Sequence, residues 1–95
     1  MSNVQPLLDD EQQALVAQER TLPRARAESI AHRTRTADLV DDMESAGDEG
    51  LYWAGYRYSP VLGTPFHSFA QLLIDRSIFR LLTATPIRRF LPLAS

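Results

Sequence analysis

Every aromatic residue of this chain lies in its second half: Tyr52, Trp53, Tyr56, Tyr58, Phe66, Phe69, Phe79 and Phe90, with none in the first fifty positions. Aromatic side chains supply the largest apolar contact areas in cores and interfaces. Cohesion or recognition is therefore expected to centre on residues 51–95, an aromatic and apolar partner-binding segment, with 1–50 as an acidic helical arm. Ninety-five residues leave room for one domain. A chain of this size buries only roughly 60–65% of its unfolded surface, so the placement of its few large side chains decides whether it folds alone.

Charge is segregated as well. Residues 9–19 and 38–49 carry four and six acids, whereas 20–35 and 51–95 carry five Arg each, for a net charge of −2. All ten basic residues are Arg and none is Lys. An Arg-only set fits a GC-rich bacterial or phage genome, and it suits interfaces because the guanidinium pairs bidentately and stacks on rings. Blocks of opposite sign can fold back on one another or meet a partner.

The expected architecture is mainly α. Asp9 with Gln12 reads as a capping box, opening a helix at about 9–20. Thr21 then caps a second helix of about 23–46, with Pro23 in its first turn. Between Val16 and Leu39 this region has only Leu22 and Ile30 as large apolar residues, with Ala25, Ala27, Ala31 and Ala37 filling the rest. Such a helix buries little by itself. Gly47 reads as its left-handed cap and Asp48-Glu49-Gly50 as a hinge.

Residues 51–58 alternate as a short aromatic strand or extended segment, with Tyr52, Ala54, Tyr56 and Tyr58 on one face. No second strand of similar quality exists to pair with it. Residues 59–67 hold two Pro and a Gly and read as irregular. Ser68 with Gln71 forms a second capping box before a helix at about 69–84 that is apolar on most sides, with Arg76 and Arg80 on one narrow polar stripe. Thr85-Pro86 opens a short terminal turn carrying Arg88, Arg89 and Phe90. An apolar helix beside a lean N-terminal half predicts little self-contained core, and hence a partner or self-association.

Most site chemistries lack their residues. There is no Cys, so no disulfide framework and no thiol chemistry. His32 and His67 stand far apart, outside any zinc-type spacing, with His32 expected on a solvent-facing helix and His67 in a loop packed by Phe66. The glycines at 47, 50, 55 and 63 form no phosphate loop. The carboxylates stand in solvated runs, without the isolated apolar pair that shifts a pKa. No catalytic residue, metal or cofactor is assigned. Nucleic acid is disfavoured, since the Arg cluster at 20–35 is flanked by carboxylates that repel phosphate.

The expected function is a non-enzymatic accessory or structural subunit of a larger bacterial or phage assembly. Its partner-binding residues would be Tyr52, Trp53, Tyr56, Tyr58, Phe69, Arg76, Phe79, Arg80, Arg88, Arg89 and Phe90. One alternative is a peripheral membrane binder using the basic, apolar C-terminal segment. Another is a small acidic inhibitor that fills a basic groove with Asp38, Asp41, Asp42 and Glu44. The N-terminus MSNVQPLLDDEQQ shows no signal-peptide pattern, and no apolar run reaches the roughly 18–20 residues of a spanning helix. A cytoplasmic location, or one within a virion or particle, is expected.

Overall fold

The computed structural model describes residues 5–84. Arg88, Arg89, Phe90 and the turn expected after Thr85 lie outside the described residues. The described chain is mainly helical, with α1 at Asp10–Gln18, α2 at Leu22–Thr34, α3 at Val40–Arg57 and α4 at Phe66–Ala84. Single turns of 3-10 helix at Ala37–Leu39 and Pro60–Leu62 join α2 to α3 and α3 to α4.

Helix α1 starts as its local sequence dictates. The Asp9 carboxylate accepts from the Gln12 N–H at 2.8 Å, and the Gln12 side chain accepts from the Asp9 N–H at 2.9 Å, closing the reciprocal box. Helix α2 follows with Pro23 in its first turn, and Thr21 flanks it without a side-chain capping bond.

The helix expected over 23–46 is two helices. Arg35 takes a left-handed conformation with φ 58°, the N–H of Thr36 returns to the Ala31 carbonyl at 3.0 Å, and the chain reverses. The Thr34 hydroxyl donates to the Ile30 carbonyl at 2.8 Å and lies 2.7 Å from the buried Thr36 hydroxyl, so the polar groups of the bend are satisfied. An Arg at a position that usually selects Gly or Asn gave no local warning of the turn.

The expected strand at 51–58 is absent, and no strand occurs among the described residues. Residues 51–57 are the C-terminal half of α3, whose helical hydrogen bonds satisfy the backbone without a neighbouring strand. The buried positions of α3 are Met43, Gly47, Gly50, Leu51, Ala54 and Gly55, a helical spacing made mostly of small residues. Gly47 is therefore no cap and Gly50 no hinge: α3 runs unbroken through both. A Cβ on Gly50 would stand 2.6 Å from the Leu73 carbonyl oxygen and 2.9 Å from the Ile74 Cα, so α3 and α4 cross there backbone to backbone. Gly55 makes room for the Val16 side chain of α1, whose Cγ2 would overlap a Cβ there.

Helix α4 begins at Phe66, directly after Pro65, rather than at 69. Ser68 therefore sits inside the first turn and caps nothing. His67 likewise lies on the helix, where its Nδ1 is 2.9 Å from the Glu19 carboxylate, which ties α4 to the end of α1.

The core expected to be lacking is present, built from small and aliphatic side chains rather than aromatics. Ala27, Ile30 and Ala31 of α2 and Met43, Leu51 and Ala54 of α3 meet Phe66, Ala70, Ile74, Ile78 and Leu82 of α4. Those five α4 residues repeat every fourth position and form one ridge. The first fifty residues contribute to it through small side chains rather than aromatic bulk. Ala27 and Ala31 are buried in the core all the same, so small side chains of α2 complete it.

Gly50→Ala is expected to destabilise the chain by about 1–3 kcal/mol through overpacking, with each kcal/mol worth about 4–8 °C in Tm at this size. The exposed Ser45→Ala on the same helix should change little. Thermal unfolding followed by circular dichroism reads both. A gain in Tm for Gly50→Ala, as ordinary helix propensity would give, would contradict the backbone crossing.

Candidate functional site

Contacts fix the register of the last two helices. Gly50 lies against Leu73, Ile74 and Ser77. Tyr58, just past the end of α3, packs its ring on Phe66 and Phe69 at the start of α4, with centroids 5.3 and 5.8 Å apart. The helices are therefore antiparallel. Their outer seam opens into a cleft of about 270 Å³ lined by Gly50, Trp53, Arg57, Leu73, Arg76, Ser77 and Arg80.

The arginines of the molecule divide into two kinds. Arg24 of α2 bonds Glu28, Asp41 and Glu44 at 2.9–3.0 Å, and these carboxylates push its guanidinium pKa further up. Arg26 grips Asp75 of α4 in a bidentate pair, both distances 2.9 Å, with the two side chains only 23% and 22% exposed. Arg57, Arg76 and Arg80 converge on the seam instead, and no carboxylate of the described residues pairs with any of them. The acidic stretch 38–49, the local candidate to neutralise Arg76 and Arg80, spends Asp41 and Glu44 on Arg24.

Trp53 anchors the cleft. The Arg57 guanidinium carbon lies 5.1 Å above its ring centroid, a cation–π contact that holds a flexible side chain in place. Tyr56 meets the same indole edge-on at 5.8 Å and leaves its own ring 44% exposed. Along α4, Leu72, Arg76, Phe79 and Arg80 occupy one exposed face, with Leu72 49% and Phe79 44% accessible.

The structure thus splits the expected partner-binding residues. Trp53, Arg76 and Arg80 line one cleft, Tyr56 abuts Trp53, and Phe79 stands exposed on α4 beside the two arginines. Tyr52, Tyr58 and Phe69 turn to internal work: the Tyr52 hydroxyl donates to the Pro6 carbonyl, Tyr58 donates to the Thr64 carbonyl at 2.8 Å, and Phe69 packs under Tyr58. Arg57 and Ser77 line the cleft too, Leu72 stands exposed on α4, and none of the three was singled out from sequence. The Trp53–Arg57 spacing of four residues was the available signal, once the segment is read as helix.

The cleft side chains donate hydrogen bonds or offer apolar surface, and none is a base at neutral pH. The arrangement suits holding an anion rather than moving a proton. Among the described residues no group of three or more His, Asp or Glu side chains gathers as a metal site. A second, wider groove between α1 and α3 holds Asp10, Arg20, Asp48 and Tyr52. There partial burial, with Glu44 nearby, pushes the Asp48 carboxyl pKa above its ordinary value. No protein family, curated protein or solved structure matches the chain.

Two expectations follow from this electrostatic division. Arg26→Ala should cost about 1–3 kcal/mol, because it leaves a partly buried carboxylate without its donors, while Arg76→Ala with Arg80→Ala should leave Tm unchanged or raised. Equal losses of Tm would show that the cleft arginines are structural. Asp48 binds its proton more tightly folded than unfolded, so its contribution to stability falls as pH rises through the acidic range. Asp48→Asn should accordingly be more stable than the parent at neutral pH and lose that advantage in acid, as read by urea unfolding across pH. A constant difference at every pH would contradict the shift.

Proposed function

We propose that this chain is a non-enzymatic accessory or structural subunit that docks onto a larger protein assembly through residues 51–95. In the described part of that segment the docking surface is Trp53, Tyr56, Arg57, Leu72, Arg76, Phe79 and Arg80. One observation carries the reading: three guanidinium groups without carboxylate partners among the described residues gather in one cleft between two helices, with Tyr56, Leu72 and Phe79 exposed on the same two helices. Isolated exposed apolar residues are ordinary, but several of them on the helices that carry an unpaired arginine cluster have the composition of an interface. The Arg-only basic set keeps a bacterial or phage assembly as the expected setting.

The membrane reading draws on the same α4 face, since Phe79 and Leu72 beside Arg76 and Arg80 suit an anionic surface. No helix among the described residues is long and apolar enough to cross a membrane. A concave seam between two helices favours a protruding protein segment over a flat lipid surface. The inhibitor reading is weakened because Asp41 and Glu44, two of its four carboxylates, are engaged by Arg24.

The test compares the tagged full chain with a Leu72→Glu, Phe79→Glu variant that retains its circular dichroism spectrum and Tm. Affinity purification from the source cells with quantitative mass spectrometry should recover a stoichiometric protein partner with the parent and lose it about tenfold or more with the variant. Identical recovery, or sedimentation with anionic vesicles in place of any protein partner, would overturn the docking reading.

A further inference from the structure

We infer that the cleft between α3 and α4 is a receptor for paired carboxylates, and that the segment it takes is an acidic peptide of the partner. The inference rests on the docking reading above and adds the chemistry of what docks.

Three observations select the ligand. The first is uncompensated charge: Arg57, Arg76 and Arg80 face one cleft with the Ser77 hydroxyl beside them, and no described carboxylate pairs with the three guanidinium groups. Elsewhere the same chain satisfies Arg24 and Arg26 with carboxylates at 2.9–3.0 Å. Planar guanidinium forks match carboxylates bidentately, and at an interface such pairs set specificity and association rate.

The second is the state of Trp53. An indole in a basic cleft could stack on a nucleobase, but the Arg57 guanidinium already stacks on this one at 5.1 Å and Tyr56 abuts its edge. The tryptophan is committed to positioning Arg57. That argues against base stacking by a nucleotide or single-stranded nucleic acid.

The third is the location on the helices. Phosphate sites are commonly built from free backbone N–H groups at a helix N-terminus or a backbone nest. This cleft lies along residues 50–57 and 73–80, well inside α3 and α4, where backbone N–H groups are held in the helices. Only side chains are offered. From Leu73 to Arg80 the cleft follows α4 for about 10 Å at 1.5 Å per residue, longer than one anion. Two carboxylates fit that length, whether two residues apart on an extended peptide or four apart on a helix. The neighbouring exposed Leu72 and Phe79 then meet apolar side chains of the same segment.

The test uses the intact chain and its single tryptophan as reporter. A synthetic peptide of alternating Glu and Leu is titrated against Trp53 fluorescence, beside the same peptide with Gln for Glu, inorganic phosphate, and an oligothymidylate. Saturable, salt-sensitive binding of the Glu peptide is expected, with affinity lowered about tenfold or more by Arg76→Ala with Arg80→Ala and unchanged by Arg33→Ala on the exposed side of α2. Circular dichroism confirms that the variants remain folded, and Arg76→Lys with Arg80→Lys should restore part of the affinity. Equal binding of the Gln peptide, tighter binding of phosphate or oligothymidylate, or indifference to both Arg substitutions would overturn the assignment. So would cleft-dependent dimerisation in sedimentation, which would make the occupant a second copy. Failure here with a Phe79-dependent partner still captured removes only the carboxylate assignment. A bound Glu peptide with partner capture indifferent to Phe79 removes the docking reading instead.

Discussion

The fold depends on the close crossing of α3 and α4 at Gly50. With no side chain there, the α3 backbone comes within a few ångströms of the Leu73 carbonyl, and nothing larger than hydrogen fits between them. Helices that approach so closely need only small and aliphatic side chains to fill the space around the crossing. Ala54, Ala70 and Ile74 suffice beside it, and Ala27, Ile30 and Ala31 let α2 close the third side. The larger rings are thereby released from the core. Among the aromatics of the described residues Phe66 alone is buried in it, and Tyr56 and Phe79 are left exposed.

The same crossing explains the charge arrangement. Running antiparallel to α4, α3 turns its acidic N-terminal half toward α2, where Asp41 and Glu44 meet Arg24. Its C-terminal half lies on the seam with Trp53 and Arg57. Asp75, the acid of α4, points to the other side and is taken by Arg26. Each of these pairs occupies a carboxylate elsewhere and leaves the seam without it. The basic cleft follows from how the acids are used, which is why a chain of net charge −2 carries a locally cationic surface.

What could be read from sequence was what is decided locally. The Asp9–Gln12 box, the Pro23 start and the existence of an apolar helix near the C-terminus are written in neighbouring residues. The turn at Arg35 was not, because its left-handed residue is an arginine and the reversal is demanded by packing rather than by a turn motif. Gly47 and Gly50 were misread for a related reason. Glycine signals a helix end by its backbone freedom and a close approach by its missing side chain, and only tertiary structure distinguishes the two. The strand reading of 51–58 fell with them, since it needed the helix to have ended first. At the candidate site, Arg76 and Arg80 one turn apart were visible. Arg57 stacking on Trp53 was not, and neither was the internal role of Tyr52, Tyr58 and Phe69, which depends on the Pro6 and Thr64 carbonyls arriving from elsewhere in the chain.

Helix α3 is one uninterrupted helix locked against α4 at Gly50. Amide hydrogen exchange by NMR tests this most directly. The amides of residues 47–57 and 70–82 are expected to exchange slowly with a common opening free energy, as one cooperative unit. Rapid exchange confined to 47–50 with protected segments on either side would reveal a hinge where the account requires a helix crossing, and the seam built upon it would lose its foundation.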